Sequence, residues 1–140
     1  MKVVHVVGRK NHGKTALTTE LIRCLAGLGV RVGSIKHCGH DHELDTPGKD
    51  SFLHREAGAL PVAVITPQMI ATYQAREAGE SFYAQVESLF VDSDIVVVEG
   101  DLDGPGLKIE VWRAEMGSRP LALERHDIAS LVTDDPVEVP

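Results

Sequence analysis

The stretch that decides the fold is VVHVVGRKNHGKT, residues 3–15. Its first half is a short, nearly continuous run of β-branched residues, which favours a strand buried on both faces of a parallel sheet. Its second half, from Gly8 to Thr15, fits the pattern G-x-x-x-x-G-K-[ST]. An apolar stripe at helical spacing follows. Since the pattern lies between a strand and a helix, it predicts a phosphate-binding loop.

The residue types of this loop explain the chemistry. Gly8 and Gly13 let the backbone curve close to a phosphate, and backbone amides at the start of the helix face the anion. Lys14 reaches the β and γ phosphates, while the Thr15 hydroxyl is placed to bind Mg²⁺. The alternative is a glycine-containing turn with an incidental Lys-Thr pair. The predicted cofactor-binding residues here are Gly8, Arg9, Lys10, Asn11, His12, Gly13, Lys14, Thr15 and Ala16.

The rest of the chain alternates between strand and helix patterns. Leu17, Leu21, Cys24, Leu25 and Leu28 predict a helix over residues 14–28 in which Cys24 is buried. Further helices are predicted over residues 50–59 and 81–90, the latter with Leu89 on its buried side. Predicted strands cover residues 30–35, 62–66, 69–73, 95–98, 109–112, 121–123 and 128–132, with 95–98 placed centrally. This order indicates an α/β fold of the three-layer P-loop NTPase type, with a mostly parallel sheet in one domain over residues 1–140.

A candidate metal ligand stands at the end of the most hydrophobic strand. Glu99 follows Val96–Val98 and precedes Gly100. Ligands of open α/β sheets bind at the carboxyl edge of the strands, where this acid emerges. Glu99 is therefore expected to complete the Mg²⁺ shell with Thr15. A solvent-facing acid at the end of a strand is the alternative.

Composition narrows the class of protein. The 140 residues carry a formal net charge of −7, which argues against broad nucleic-acid binding because that requires a basic face. Two cysteines do not make a secreted disulfide framework. No apolar run approaches the roughly 20 residues that span a membrane. A cytoplasmic protein without a membrane segment is the expectation.

Residues 36–45, KHCGHDHELD, combine histidines, a cysteine and acids, which suggests a metal site. In an extended segment Cys38, His40 and His42 point to one side, so metal capture is a possible role. Their spacing differs from the usual zinc patterns, and no C-x-x-C partner is present. The alternative is a loop that faces the phosphates of a bound nucleotide.

Several segments together resemble the MobB family, molybdopterin-guanine dinucleotide biosynthesis protein B. They are GRKNHGKT, RVGSIKH, HDHELDTPGKDSFLHREAGA, VVVEG and KIEVWR, and the resemblance covers roughly residues 2–113. It implies a homodimeric adaptor that binds GTP and Mg²⁺, hydrolyses GTP slowly, and works with the guanylyltransferase of the MobA type that joins GMP to molybdopterin. The alternatives are a P-loop small-molecule kinase and a metal carrier that uses the histidine cluster.

The resemblance also assigns residues to the loop after the second strand. The motif positions are Lys36, His37, His40, Asp41, Asp45, Gly48, Lys49, Asp50 and Ser51. Lys36, His37, His40 and Lys49 are expected to contact the nucleotide, and Asp41 and Asp45 to join Thr15 and Glu99 around Mg²⁺. Lys14 and Asp41 are the predicted catalytic residues.

The chain departs from the family pattern inside the phosphate-binding loop. Arg9 is either a residue that reaches the partner's nucleotide or a solvated arginine, and His12 is expected to crowd the loop. No N-K-x-D motif is present, so guanine preference rests on the resemblance, with Asp134 and Asp135 as candidate acceptors for the base.

Overall fold

The computed structural model describes residues 1–137, which pack into two compact units. Residues 1–39 and 88–137 form the first unit, and residues 40–87 form the second. The strands are β1 (Val3–Val7), β2 (Val32–Lys36), β3 (Val62–Ile65), β4 (Ile70–Tyr73), β5 (Ile95–Glu99), β6 (Leu107–Val111) and β7 (Ile128–Val132). The α-helices are α1 (Lys14–Gly27), α2 (Asp50–Glu56) and α3 (Phe82–Val86). The predicted single domain over 1–140 stays a prediction, and its last three residues lie outside the described range.

The first unit is built on a five-stranded sheet in the order β2-β5-β1-β6-β7. Every pairing in this sheet is parallel. The predicted α/β class with a mostly parallel sheet is therefore confirmed. β1 occupies the middle position and β5 lies beside it, so the strand predicted to be central is internal but not the middle one.

The core of the first unit lies between β1, β5, β6 and α1. Its buried centre consists of Val4, Val6, Val97 and Val111, against which the apolar face of α1 packs. The residues of α1 in this contact are Leu17, Leu21, Ile22 and Leu25. Thr18, on the same helix, is buried as well. The prediction of a buried Cys24 is wrong, because Cys24 lies outside the set of α1 residues that pack on the core, and it is exposed. Leu28 is 80% exposed because it lies beyond the last helical residue.

Three other predictions from the sequence are corrected. Residues Leu121–Leu123 form a short 3₁₀ helix instead of a strand, and the backbone amides of Leu121 and Ala122 donate to the buried Glu110 carboxylate. Leu89 is 71% exposed because α3 ends at Val86 and a 3₁₀ turn follows. For the implied homodimer the sequence offers residues 69–73 or 109–112 as strands that pair with a second copy, but 109–112 is not an edge strand, since β6 is paired on both sides.

The second unit contains an antiparallel pair, β3 with β4, in which Val62 lies opposite Tyr73 and Ile65 opposite Ile70. Helix α2 contacts β3. Within residues 1–137, no helix combines the length and the apolar character that crossing a membrane requires.

Candidate functional site

The loop of residues 8–15, which the sequence predicts to bind phosphate, joins β1 to α1 at the carboxyl edge of the sheet. Gly8 has φ 141°, and a Cβ there would lie 2.5 Å from the carbonyl oxygen of Val111. Gly13 has φ 98° and caps the amino end of α1. Both backbone positions therefore require glycine, one for close approach to β6 and one for the turn into the helix.

The amino end of α1 has free donor capacity. Gly13 makes no side-chain capping hydrogen bond, and the first turn holds no acidic residue. The first helical hydrogen bond runs from the Leu17 N–H to the Gly13 carbonyl, at 3.0 Å, so the amides of residues 14–16 precede it. Unpaired amides at the positive end of a helix favour an anion such as phosphate.

Lys14 folds back over the loop. Its Nζ donates to the carbonyl oxygens of Gly8 and Arg9, each at 2.9 Å. Burial lowers the pKa of Lys14, the carboxylate of Glu99 acts in the opposite direction, and Lys36 lowers it further. A cation held by neutral carbonyls keeps its charge available for an incoming phosphate.

Thr15 and Glu99 meet next to this lysine. The Thr15 Oγ1 donates to Glu99 Oε1 at 2.9 Å, and Lys36 Nζ lies 3.5 Å from the same oxygen. The sheet produces this meeting because β5 pairs with both β1 and β2, with Lys36 in register with Glu99. A hydroxyl and a carboxylate are oxygen ligands of the kind that Mg²⁺ takes, so the predicted pair fits the ion.

His37 extends the same edge through its backbone, whose N–H donates to the Glu99 carbonyl at 3.0 Å. In the loop itself Arg9, Lys10 and Asn11 are exposed. Ala16, in the first turn of α1, is exposed as well. The sheet thus brings together, at one edge, all the predicted nucleotide-binding residues that belong to the first unit.

His12 takes a place that the sequence does not predict. Its side chain is 2% exposed, its Nδ1 accepts from the Arg113 N–H at 3.0 Å, and its Nε2 lies 3.1 Å from Ser118 Oγ. The expected crowding of the loop is wrong, because the imidazole is bonded to the segment after β6. The spacing of the loop carries no signal for this contact, which joins residues more than 100 positions apart.

The remaining predicted site residues belong to the second unit. His40, Asp41 and Lys49 are exposed there. Within residues 1–137, no group of three or more histidine, cysteine or acidic side chains has the geometry to hold a metal ion. The metal-carrier alternative therefore gains no support from Cys38, His40 and His42.

Asp45 is used inside the second unit. Its side chain is 5% exposed, Oδ1 accepts from the Tyr73 hydroxyl at 3.2 Å, and Oδ2 lies 3.9 Å from Arg55 Nε. Burial acts to raise the pKa of Asp45, but hydrogen bonds from Ser51, Thr46 and Tyr73 outweigh it and the pKa is lowered. These contacts hold the Asp45 carboxylate inside the second unit, and its predicted place around Mg²⁺ stays a prediction.

Arg113 lies beside the loop, and the sequence did not predict a role for it in this site. The guanidinium of Arg113 packs against Gly13, with Nε 3.4 Å from where a Cβ would stand. Near it a cavity of about 50 Å³ is lined by Val111, Trp112, Arg113, Val132, Thr133 and Asp134. The rule that ligands meet the carboxyl ends of strands points to Arg113, which follows β6. Asp135 is committed elsewhere, since it accepts from the Ala114 N–H at 2.7 Å.

The sequence has relatives among characterised proteins. The molybdopterin-guanine dinucleotide biosynthesis adapter protein of Escherichia coli is 36% identical over 132 residues, which cover 91% of this chain and 75% of that protein. The protein of the same name from Haemophilus influenzae is 32% identical over 136 residues, with 96% and 75% covered.

Solved structures share the fold. The crystal structure of Bacillus subtilis MobB has a TM-score of 0.74 at 24% identity, covering 97% of this chain and 82% of that one. A MobB homologue from Bacillus stearothermophilus has a TM-score of 0.70 at 26% identity, covering 100% and 83%. Residues 3–134 match the family described as molybdopterin guanine dinucleotide synthesis protein B, MobB, and the chain belongs to this family.

Proposed function

We propose that this chain is an adapter in the biosynthesis of molybdopterin guanine dinucleotide, and that it binds GTP with Mg²⁺ at the loop of residues 8–15. One observation supports nucleotide binding above the others. The phosphate-binding loop carries Lys14 on its own carbonyl groups, beside a Thr15–Glu99 pair at 2.9 Å. The names of the relatives support the adapter role.

Each residue has a definite task in this proposal. The loop amides and the amides of residues 14–16 bind phosphate oxygens, and Lys14 exchanges its two carbonyl partners for the β and γ phosphates. Thr15 and Glu99 hold the metal, with Lys36 next to Glu99 to neutralise a phosphate oxygen. Bound Mg²⁺ supplies charge neutralisation at the phosphates.

The GTP hydrolysis that we propose for this chain is slow. Lys14 stabilises charge that develops on the γ phosphate, but hydrolysis also requires a group that orients water. The predicted group is Asp41, an exposed acid of the second unit. An adapter needs nucleotide occupancy more than turnover, which agrees with at most a slow GTPase. Its proposed partners are a second copy of the chain, molybdopterin and the guanylyltransferase that attaches GMP to it.

The test is calorimetric titration with GTP and ATP, each with and without Mg²⁺. We expect GTP to bind more tightly than ATP, with an affinity that depends on Mg²⁺ and on Lys14. Lys14→Ala is the test variant, and Lys2→Ala, at an exposed lysine before β1, is the matched control. Absence of binding to folded wild-type protein contradicts the proposal, and rapid turnover that depends on an acceptor indicates a kinase instead.

A further inference from the structure

His12 is a buried titratable side chain with both ring nitrogens in hydrogen-bonding distance of the segment after β6. Nδ1 is 3.0 Å from the Arg113 backbone nitrogen, and Nε2 is 3.1 Å from Ser118 Oγ. These contacts connect the phosphate-binding loop to the end of a different strand. His12 directly precedes Gly13, whose conformation sets the direction of the first α1 amides.

The bonding pattern requires one form of the ring. A backbone N–H only donates, so His12 Nδ1 must be an unprotonated acceptor. A neutral imidazole then carries its proton on Nε2, which donates to Ser118 Oγ. Protonation of Nδ1 would place two donors face to face and break the bond to Arg113. The arrangement therefore selects neutral His12.

The charges around the ring favour the same form. Burial is the largest influence and lowers the pKa of His12 below its ordinary value of 6.5. The surrounding charged groups are Glu110, which acts to raise it, and Lys14, Arg9 and Arg113, which lower it. Since the bonded form is the neutral one, its contribution to stability is complete above about pH 6.5 and declines as the pH falls below that value.

Ser118 extends the contact to the only tryptophan of the chain. The Trp112 Nε1 donates to the Ser118 carbonyl at 2.7 Å, and the indole is 8% exposed. Ser118 thus bonds His12 through its hydroxyl and Trp112 through its backbone. Trp112 emission is consequently a probe of this segment.

We propose that neutral His12 is a positioning residue for the phosphate-binding loop, which it fixes against Arg113 and Ser118 so that the amides after Gly13 face the phosphates. Protonation of the ring releases the loop and lowers nucleotide affinity. The inference rests on the proposed nucleotide-binding function. His12 acts through the backbone it holds, because its own nitrogens are already bonded.

The first experiment measures GTP affinity from pH 8 to pH 5.5 for wild type and variants. His12→Ala is expected to weaken binding roughly tenfold at pH 8, since it leaves the partly buried Arg113 N–H without its acceptor. His12→Asn offers a side-chain oxygen to the same N–H and is expected to restore most of the affinity. His126→Ala removes an exposed histidine of the same unit and serves as the control.

The pH profile separates positioning from a general loss of structure. Below pH 6.5 the wild-type affinity is expected to fall more steeply than that of His12→Asn, which does not titrate. Titration of the GTP phosphates affects both proteins equally, so the difference between the two curves belongs to His12. This comparison remains decisive even if His12→Ala fails to fold.

A second experiment needs no nucleotide. Nitrogen NMR of the imidazoles is expected to show His12 with its proton on Nε2 at pH 6.5, where a histidine of ordinary pKa is half charged. Trp112 emission is expected to shift at lower pH in wild type and to stay constant in His12→Asn. A charged His12 at pH 6.5 overturns the inference.

The outcomes distinguish the two proposals. If wild type binds GTP, and His12→Ala binds it equally well with the same pH profile, the positioning role is overturned and the proposed function stands. If folded wild type binds neither GTP nor ATP at any pH, the proposed function is overturned and this inference with it.

Discussion

The two edges of the parallel sheet hold their cations in different ways. At the amino edge, the buried Lys108 bonds to Asp127 at 3.1 Å, and Arg31 bonds to Asp94 at 2.8 Å. At the carboxyl edge, Lys14 instead donates to two backbone carbonyls. The carboxyl edge also has an ion pair, Lys36 with Glu99 at 3.5 Å, but it differs from the amino edge because it holds Lys14 on neutral groups.

The pKa directions reflect this difference. The Arg125 guanidinium, with a further contribution from Lys108, holds the pKa of Asp127 well below its usual range. The pKa of Lys14 is lowered by burial, against the influence of Glu99. Neutralised pairs stabilise the fold, whereas a partly desolvated cation on exchangeable partners is suited to bind an anion. This difference supports the proposed binding role of Lys14 and a structural role for Lys108.

The largest expected effect is on ligand affinity at the carboxyl edge. Lys14→Ala should weaken GTP binding by about 100-fold or more, because it removes charge-assisted bonds to the phosphates. The free energy of unfolding should change by less than about 1 kcal/mol, since the lost partners are carbonyls that water can reach. Calorimetry and urea denaturation measure the two quantities. A large loss of stability with little change in affinity would reverse the distinction between the edges.

Glu110 tests whether a buried charge at the carboxyl edge can be structural. It is 1% exposed, and its two carboxylate oxygens accept from the amides of Leu121 and Ala122 at 2.9 and 2.7 Å. Glu110→Gln should lower the free energy of unfolding by about 1–3 kcal/mol, because an amide N–H₂ would face a backbone N–H. Urea denaturation checks this against Glu115→Gln, at an exposed position. Equal stability of the two variants would contradict the prediction.

A substitution at the amino edge of the sheet should change the free energy of unfolding but not the affinity for GTP. Lys108→Ala is expected to cost about 1–2 kcal/mol in the free energy of unfolding, since Asp127 loses one charged partner but keeps Arg125. GTP affinity should stay within about twofold of wild type, because the substitution lies at the other end of β6. Thermal unfolding and calorimetry provide the measurements. Loss of nucleotide binding in a stable Lys108→Ala protein would argue against separate roles.

The smallest effect is expected at the exposed Arg31–Asp94 pair. The guanidinium and backbone N–H of Arg31 lower the pKa of Asp94 from 3.8 to about 2. The pair therefore stabilises the fold above about pH 3.8, and this contribution is lost as the pH falls toward 2. Asp94→Asn should lower the free energy of unfolding at pH 7 less than the other substitutions do, because both side chains are solvated. Acid unfolding curves of the two proteins should converge near pH 2, and curves that stay apart would contradict the assignment.

The fold was largely predictable because its signals are local. The β-branched run of β1 and the stripe of α1 give the right elements, and the loop between them follows from two glycines. The errors concern residues whose burial or conformation depends on tertiary contacts. Cys24 is exposed because α1 buries Thr18 and the leucines beside it instead. Residues 121–123 form a 3₁₀ helix in which two backbone amides donate to the carboxylate of Glu110. Neither effect is visible in a sequence window.

The residues of the candidate site also fall into those that the sequence could predict and those that it could not. Its loop and Glu99 could be predicted because a strand end in a parallel sheet has a known location. The roles of Asp45 and His12 could not, since each is set by partners distant in sequence, Tyr73 for Asp45 and Arg113 and Ser118 for His12. Burial decides these cases because a buried polar group must be bonded where it lies.

The sequence by itself determined that a glycine-containing loop joins a buried strand to a helix, and it predicted that this loop binds phosphate, since glycine geometry and hydrophobic periodicity are local properties. It also gave the resemblance to MobB. Only the tertiary structure decided that Lys108 meets Asp127 and that His12 bonds to the segment after β6. The physical reason is that hydrogen bonds and ion pairs depend on distances in space, which strand order and register set.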